Sequence, residues 1–365
     1  MKIREVIECL ENYAPLSLQE SYDNAGLIIG DAFAECSGII TTLDVTEDVI
    51  HEAVEKKCNL IVAHHPIIFK GLKKLNAKNY VERCVINAIK NNIAIYAIHT
   101  NIDNVVNGVN QKIAQQLNLQ NTKVLLPKEG ILKKLVTFSP QNNAEEIRNA
   151  LFKAGAGVVG KYSECSFNAE GVGTFRAGET AEPYVGKIGE RHSENETRIE
   201  VIFPGYIQYQ VIESLIQAHP YEEVAYDIYT LNNVHENIGS GLVGDLAEPV
   251  SEEDFLSKLK AEFALKVIRH TALLNKKIAK VAVCGGAGSF LIPPAKAIGA
   301  QIYITSDVKY HEFFDADNTI LLADIGHYES EQFTTDLLTD ILRQKFPNFA
   351  VQKTGIMTNP VSYYL

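Results

Sequence analysis

Hydrophobic and polar positions along the chain alternate between two periods. Ile3, Val6, Ile7 and Leu10 recur at helical spacing and predict a first helix over residues 2–12. Ser21-Tyr22-Asp23-Asn24-Ala25-Gly26 marks a turn before a short strand, with Asp23 and Asn24 either capping that turn or approaching a site. A strand over 37–43 runs into Asp44-Val45-Thr46. A helix follows over 47–57, capped by Thr46, with Val49, Ile50 and Val54 on its apolar face. The run Leu60-Ile61-Val62-Ala63 then stops abruptly at His64-His65-Pro66. It reads as a strand buried on both faces of a parallel sheet, and Pro66 keeps the chain extended as it leaves. A helix over 79–91 leads to a second apolar strand over 93–98, which ends in His99-Thr100-Asn101-Ile102-Asp103. Strand, helix, strand, helix implies parallel strands with right-handed crossovers, so the ends at His64 and His99 share one edge of the sheet.

The pattern changes near Leu126-Pro127-Lys128. Strands are expected over 132–138, 170–176, 197–203 and 223–231, with helices over 143–154 and 206–218. That βαββαβ order is the split-βαβ, ferredoxin-like arrangement, and its length suffices for a separate domain. The charged loop 181–196 is expected to be mobile. After Asn232-Asn233 the α/β pattern returns: a helix over 251–263 capped by Ser251, then a strand over 278–284 ending in Gly285-Gly286-Ala287-Gly288-Ser289. A helix over 290–298 and a strand over 300–305 lead to Ser306-Asp307-Val308-Lys309-Tyr310-His311. The strand over 319–323 ends in Asp324-Ile325-Gly326-His327-Tyr328-Glu329-Ser330-Glu331 and a helix to about residue 345. The fold class is therefore α/β, with a core (1–125 and 235–365) interrupted by an inserted α+β domain (126–234).

Composition narrows the partners. A formal net charge of −11 argues against nucleic acid as a partner, because duplex binding relies on Lys and Arg at phosphates. No apolar run approaches the ~20 residues of a membrane span. The charged, amphipathic start is unlike a signal peptide, so a cytoplasmic location and reduced, buried cysteines are expected.

Several strand ends carry chemistry. His64, His65, Asp103, His327 and Glu331 offer three imidazoles and two carboxylates, with His327 and Glu331 at i and i+4 on one helical face. One catalytic zinc takes three protein ligands, whereas five suit two cations ~3.5–4 Å apart. Against this, His327 could cap its helix and Glu331 could simply favour the helix dipole. Gly286 and Gly288 could present backbone N–H groups to a phosphate, or could form a tight turn. The stretch lacks the Walker lysine and fails GxGxxG at Leu291. His99 and His311 are candidate acid/base groups. His219-Pro220-Tyr221-Glu222-Glu223 is conspicuous but suggests a turn or a subunit contact.

The set Tyr22-Asp23-Asn24-Ala25-Gly26-Leu27, Ala63-His64-His65-Pro66, His99-Thr100-Asn101-Ile102-Asp103 and Gly326-His327-Tyr328-Glu329-Ser330-Glu331 resembles the signatures of the Nif-three-like family, also described as GTP cyclohydrolase I type 2 homologs. Tyr22 departs from the tryptophan that many members carry there. The resemblance covers both core segments. It implies a dinuclear centre on the same five residues, holding two divalent ions per subunit, zinc foremost, with iron or manganese as alternatives. It also implies a toroidal homohexamer with the metal sites facing an internal cavity. The inserted domain is similar to the PII/CutA-like domain of longer bacterial members. The expected function is a metal-dependent hydrolase acting on a nucleotide-like or phosphorylated small molecule. The alternative is a non-enzymatic, metal-stabilised regulatory hexamer with a ligand-sensing insert.

Overall fold

The computed structural model describes residues 1–364. The chain divides into two compact units, one made of residues 1–127 and 236–365 and the other of residues 128–235.

The first unit is built on two sheets. One has the strand order Gly26–Ile29, Ala94–Ala97, Leu60–Ala63, Ile39–Thr42, Val351–Lys353. Its strands are parallel except the edge pair formed by Gly26–Ile29 and Ala94–Ala97. The other sheet has the order Arg269–His270, Leu321–Asp324, Ile302–Ser306, Lys277–Ala287, His235–Ser251, Gln120–Lys128. Its three middle strands, Lys277–Ala287, Ile302–Ser306 and Leu321–Asp324, are parallel.

Alternation along the strands sorts their side chains into layers. Leu60 and Val62 join Tyr96, Val281, Ile302 and Leu321 in one buried core shared by both sheets. Ile61 and Ala63 face the other way, onto the helices Glu47–Glu55 and Tyr80–Lys90. Each fully buried aliphatic side chain here contributes about 1.5–3 kcal/mol, which is why the 60–63 run carries no polar residue. The expected caps form, with Thr46 accepting the N–H of Val49 and Ser251 that of Asp254, and Asn79 likewise caps its helix by accepting the N–H of Glu82.

Several features differ from the expected pattern. The strand expected over 278–284 runs on to Ala287, so Gly285 and Gly286 are strand residues. The strand His235–Ser251 escapes the apolar pattern because Gly239, Gly241 and Gly244 interrupt it. The helix expected after the strand-end segment 324–331, to about residue 345, is Thr334–Lys345, and a separate short helix, His327–Glu331, precedes it.

The second unit contains an antiparallel sheet ordered Phe167–Arg176, Arg191–Pro204, Leu132–Pro140, Tyr226–Thr230. The helices Ala144–Lys153 and Gln208–Ala218 cover one face, burying Leu135, Ile147, Ile199, Val201, Val211 and Leu215. The loop expected over 181–196 is shorter than its composition suggests. Arg191-His192-Ser193-Glu194 already belongs to a strand, polar on both faces and therefore without an apolar signal. No helix among the described residues is long and apolar enough to cross a membrane.

Candidate metal centre

The strand Leu60–Ala63 delivers the two histidines without a break, because the N–H groups of His64 and His65 go on to donate to the carbonyls of Thr42 and Leu43. His64 is fully buried. Its Nδ1–H donates to the carbonyl of Ile98 at 2.9 Å, which leaves Nε2 as the free lone pair. That atom lies 3.7 Å from Asp103 Oδ1 and 3.8 Å from Glu331 Oε1. His65 is oriented by Asp44, whose Oδ1 accepts its Nδ1–H at 2.8 Å; Asp44 is in turn held by the Thr358 hydroxyl. His65 Nε2 lies 3.0 Å from Glu331 Oε2. His327 repeats the arrangement from the other sheet. Its Nδ1 meets Asp307 Oδ2 at 2.5 Å, and its Nε2 lies 3.1 Å from Glu331 Oε2. Asp307 reaches this position in the left-handed backbone region, at φ 56°.

The carboxylate of Glu331 thus stands between the two groups. Oε2 faces His65 and His327, and Oε1 faces His64 and, across it, Asp103. Each set, His65–His327–Glu331 and His64–Asp103–Glu331, has ligand atoms within 4.8 Å of one another. A third set adds His99 to His64 and His65. His99 Nδ1 donates to Asp23 Oδ1 at 2.7 Å, and Asp23 also accepts the N–H and hydroxyl of Thr100. His311 is exposed, packed on Tyr310 and Phe314.

Electrostatics show what the cluster lacks. Burial opposes the charged form of His65, yet Asp44 and Glu331 push its imidazolium up to about 10. Burial likewise opposes His327, and Glu331 with Asp307 push it up to about 9. Burial and the charge of Glu331 push Asp103 up to about 7. Glu331 itself is held well below the usual carboxylate range, against burial, by His327, His64 and His65. The cluster therefore gathers protons wherever positive charge is missing. His64 Nε2, Asp103 Oδ1 and Glu331 Oε2 are buried without a hydrogen-bond partner. An unpartnered buried polar atom costs ~1–3 kcal/mol, and here three of them lie in one cluster: His64 Nε2 faces Asp103 Oδ1, and Glu331 Oε2 faces His65 and His327. The donor set fits divalent cations, as imidazole and carboxylate suit zinc, iron or manganese.

The glycines behind the cluster provide room. A Cβ on Gly286, at φ +65°, would lie 2.3 Å from Glu331 Oε1. The N–H groups of Gly285 and Gly286 donate to Asn110 and Ser330, so the phosphate-loop expectation finds no free donor at Gly286. Gly288 is packed against the hydroxyls of Tyr303 and Thr305. In the second unit His219 is a turn residue: Nε2–H donates to the Phe138 carbonyl and Nδ1 accepts the Tyr221 N–H. Asp44 has almost no signature in the sequence. Its one signal is its place just past a strand that neighbours Leu60–Ala63.

The family model described as Duf34/NIF3 (NGG1p interacting factor 3) matches residues 1–360. The chain belongs to the Duf34/NIF3 family. It is 36% identical over 365 residues to the Bacillus subtilis GTP cyclohydrolase 1 type 2 homolog, covering 99% of this chain and 98% of that protein. It is 38% identical to the protein of the same name from Halalkalibacterium halodurans, covering 98% of each. The crystal structure of a Bacillus cereus protein related to NIF3 superimposes with a TM-score of 0.87 at 38% identity, covering 100% of this chain and 99% of that one.

Proposed function

We propose that this member of the Duf34/NIF3 family is a metal-dependent hydrolase with a dinuclear centre, acting on a nucleotide-like or phosphorylated small molecule. The observation that carries the reading is the convergence of buried, unpartnered donor atoms on His64, Asp103 and Glu331 beside the facing imidazoles of His65 and His327. In this reading His64, His65, Asp103, His327 and Glu331 would hold the ions. Two such ions, when bound, supply acidified water and polarise a substrate oxygen.

The chain's own residues do the rest. Asp23 fixes the His99 tautomer, so Nε2 is the acceptor available for a proton. Asp44 and Asp307 hold the outer nitrogens of His65 and His327, which raises the basicity of both rings and fixes their planes. Phe69 stands edge-on to His99, with ring centroids 5.7 Å apart, and is exposed, as is Tyr22; these rings suit a flat heterocycle. Lys70, Lys73 and Lys74 lie in the exposed stretch that follows Phe69, where they suit phosphate. The name carried by the relatives, GTP cyclohydrolase 1 type 2 homolog, is consistent with such a substrate. A homohexamer and a PII/CutA-like character of the 128–235 unit belong to the same reading, the latter supported by its βαββαβ order.

The test is elemental analysis of protein purified without chelators, followed by turnover of GTP and related nucleotides. Activity unchanged in the His64→Ala, Glu331→Ala double variant would reject the proposed ligands.

A further inference from the structure

The second unit holds a cleft of about 650 Å³ that the proposed hydrolase chemistry does not use. Its wall is the strand Phe167–Arg176 with the neighbouring end of Arg191–Pro204; its rim is the loop after Arg176 and the turn after the helix Gln208–Ala218. That loop is a built structure. The N–H of Glu182 donates to the Glu222 carboxylate at 2.8 Å, Gly189 N–H donates to the Ala177 carbonyl, and Ala177 and Ile188 form a bridge.

Four aromatic rings line the space: Phe138, Phe175, Tyr184 and Tyr221. Tyr221 sits between two of them, with centroids 6.2 Å from both Phe175 and Tyr184 and the planes tilted by more than 50° in each case. Among them lies the carboxylate of Glu196. Glu196 Oε1 accepts the Tyr221 hydroxyl at 3.0 Å. Its side chain lies over Gly173, where a Cβ would come within 2.0 Å of Oε2. Gly173 therefore makes the space in which Glu196 lies flat along the wall. The turn residues Glu222 and Glu223 and the wall residue Glu170 add negative charge. Of the two lining guanidinium groups, that of Arg198 is taken by Glu200 at 2.8 Å, which leaves Arg176. The field is felt inside the cleft: burial first, and then Glu196, push the Tyr221 phenol above its ordinary value.

We propose that this cleft is a binding site for a small organic cation, an ammonium group carried on an apolar or aromatic skeleton. The ammonium would meet Glu196, and the skeleton would lie among Phe138, Phe175, Tyr184 and Tyr221. Aromatic faces attract cations through the ring quadrupole, and a partly desolvated carboxylate adds a charge-assisted hydrogen bond. An anionic ligand of the same shape would face Glu196 with like charge. Every residue that lines the cleft belongs to the 128–235 unit, and none is among the metal-centre residues.

The experiment is calorimetric titration of the full-length protein with three probes of one shape: phenethylammonium, its neutral N-acetyl derivative and 3-phenylpropionate. The cation is expected to bind about tenfold or more tightly than either of the others. Glu196→Gln, which keeps the Tyr221 bond, should weaken cation binding by about tenfold while leaving the neutral probe unaffected. Gly173→Ala, which pushes the carboxylate aside at a strand position any residue tolerates, should have the same effect. His327→Ala should leave cation binding unchanged. Equal binding of the three probes, wild-type cation affinity in both folded variants, or no saturation by the cation below about 10 mM would overturn the assignment.

Discussion

His65 Nε2 and His327 Nε2 face each other across 3.3 Å, each ring having given its other nitrogen to a carboxylate. Two neutral rings so placed oppose lone pair to lone pair, and a cation between them removes that repulsion. Replacing either histidine by alanine is therefore expected to lower bound metal by about half or more, since a catalytic-type site tolerates few missing ligands. Elemental analysis of His65→Ala and His327→Ala against the wild type measures it, and full occupancy in both would contradict the arrangement.

The carboxylates behind the rings should matter nearly as much as the rings. Asp44→Asn and Asp307→Asn leave the proposed donor atoms intact but remove the acceptor that fixes each tautomer. Affinity for zinc is expected to fall about 10–100-fold in each, read by competition with a chromogenic chelator.

Gly286→Ala puts a methyl group 2.3 Å from Glu331 Oε1 in a backbone conformation unfavourable for alanine. The cost in folding stability is expected to be about 1–3 kcal/mol, with metal affinity reduced because Glu331 is displaced. Urea unfolding and the same chelator competition report the two effects separately. Gly160→Ala, also at positive φ but with open space around its Cβ position, should destabilise without touching metal affinity.

Stability should depend on pH in a way that metal cancels. In metal-free protein, folding raises His65 from 6.5 to about 10, His327 from 6.5 to about 9 and Asp103 from 3.8 to about 7. In all three the folded state binds the proton more tightly than the unfolded chain. Their contribution is thus fully present below the unfolded values and is lost as pH rises, from about 4 to 7 for Asp103 and from about 6.5 to 10 for the histidines. Cations replace these protons, and metal affinity grows with pH. The difference in Tm between metal-loaded and metal-free protein should widen from pH 6 to pH 9 by roughly 5 °C or more. Paired thermal melts measure it, and a constant gap would count against the coupling.

Asp23→Asn probes the proposed hydrolase directly. It removes the carboxylate that holds His99 Nδ1–H and weakens the hold on Thr100. With proton transfer through His99, kcat on the cognate substrate should fall about 10²-fold or more while KM and metal content stay near wild type. An unchanged kcat would remove His99 from the chemistry.

Much of this architecture is legible in the chain itself, and the reasons are physical. Leu60 to Ala63 is apolar on both faces because both faces are covered, and the abrupt change to His64-His65-Pro66 marks the strand end. The meeting of His64, Asp103 and Glu331 follows from parallel strands that place their carboxyl ends together. Asp44 was not legible, because an aspartate before a helix reads equally well as part of a cap. Gly286 was misleading for a related reason. A glycine-rich strand end looks the same whether it leaves room for a phosphate or for a neighbouring glutamate. The strand from His235 to Ser251 carries glycines where an apolar alternation would show, and Arg191 to Glu196 is polar on both sides, so neither announces itself.

The facing nitrogens of His65 and His327 come from residues 262 positions apart. Half of the cradle therefore emerges from the ribosome early and waits for almost the entire remaining polypeptide before its counterpart exists. An ion cannot be captured in full until both halves of the core have found each other.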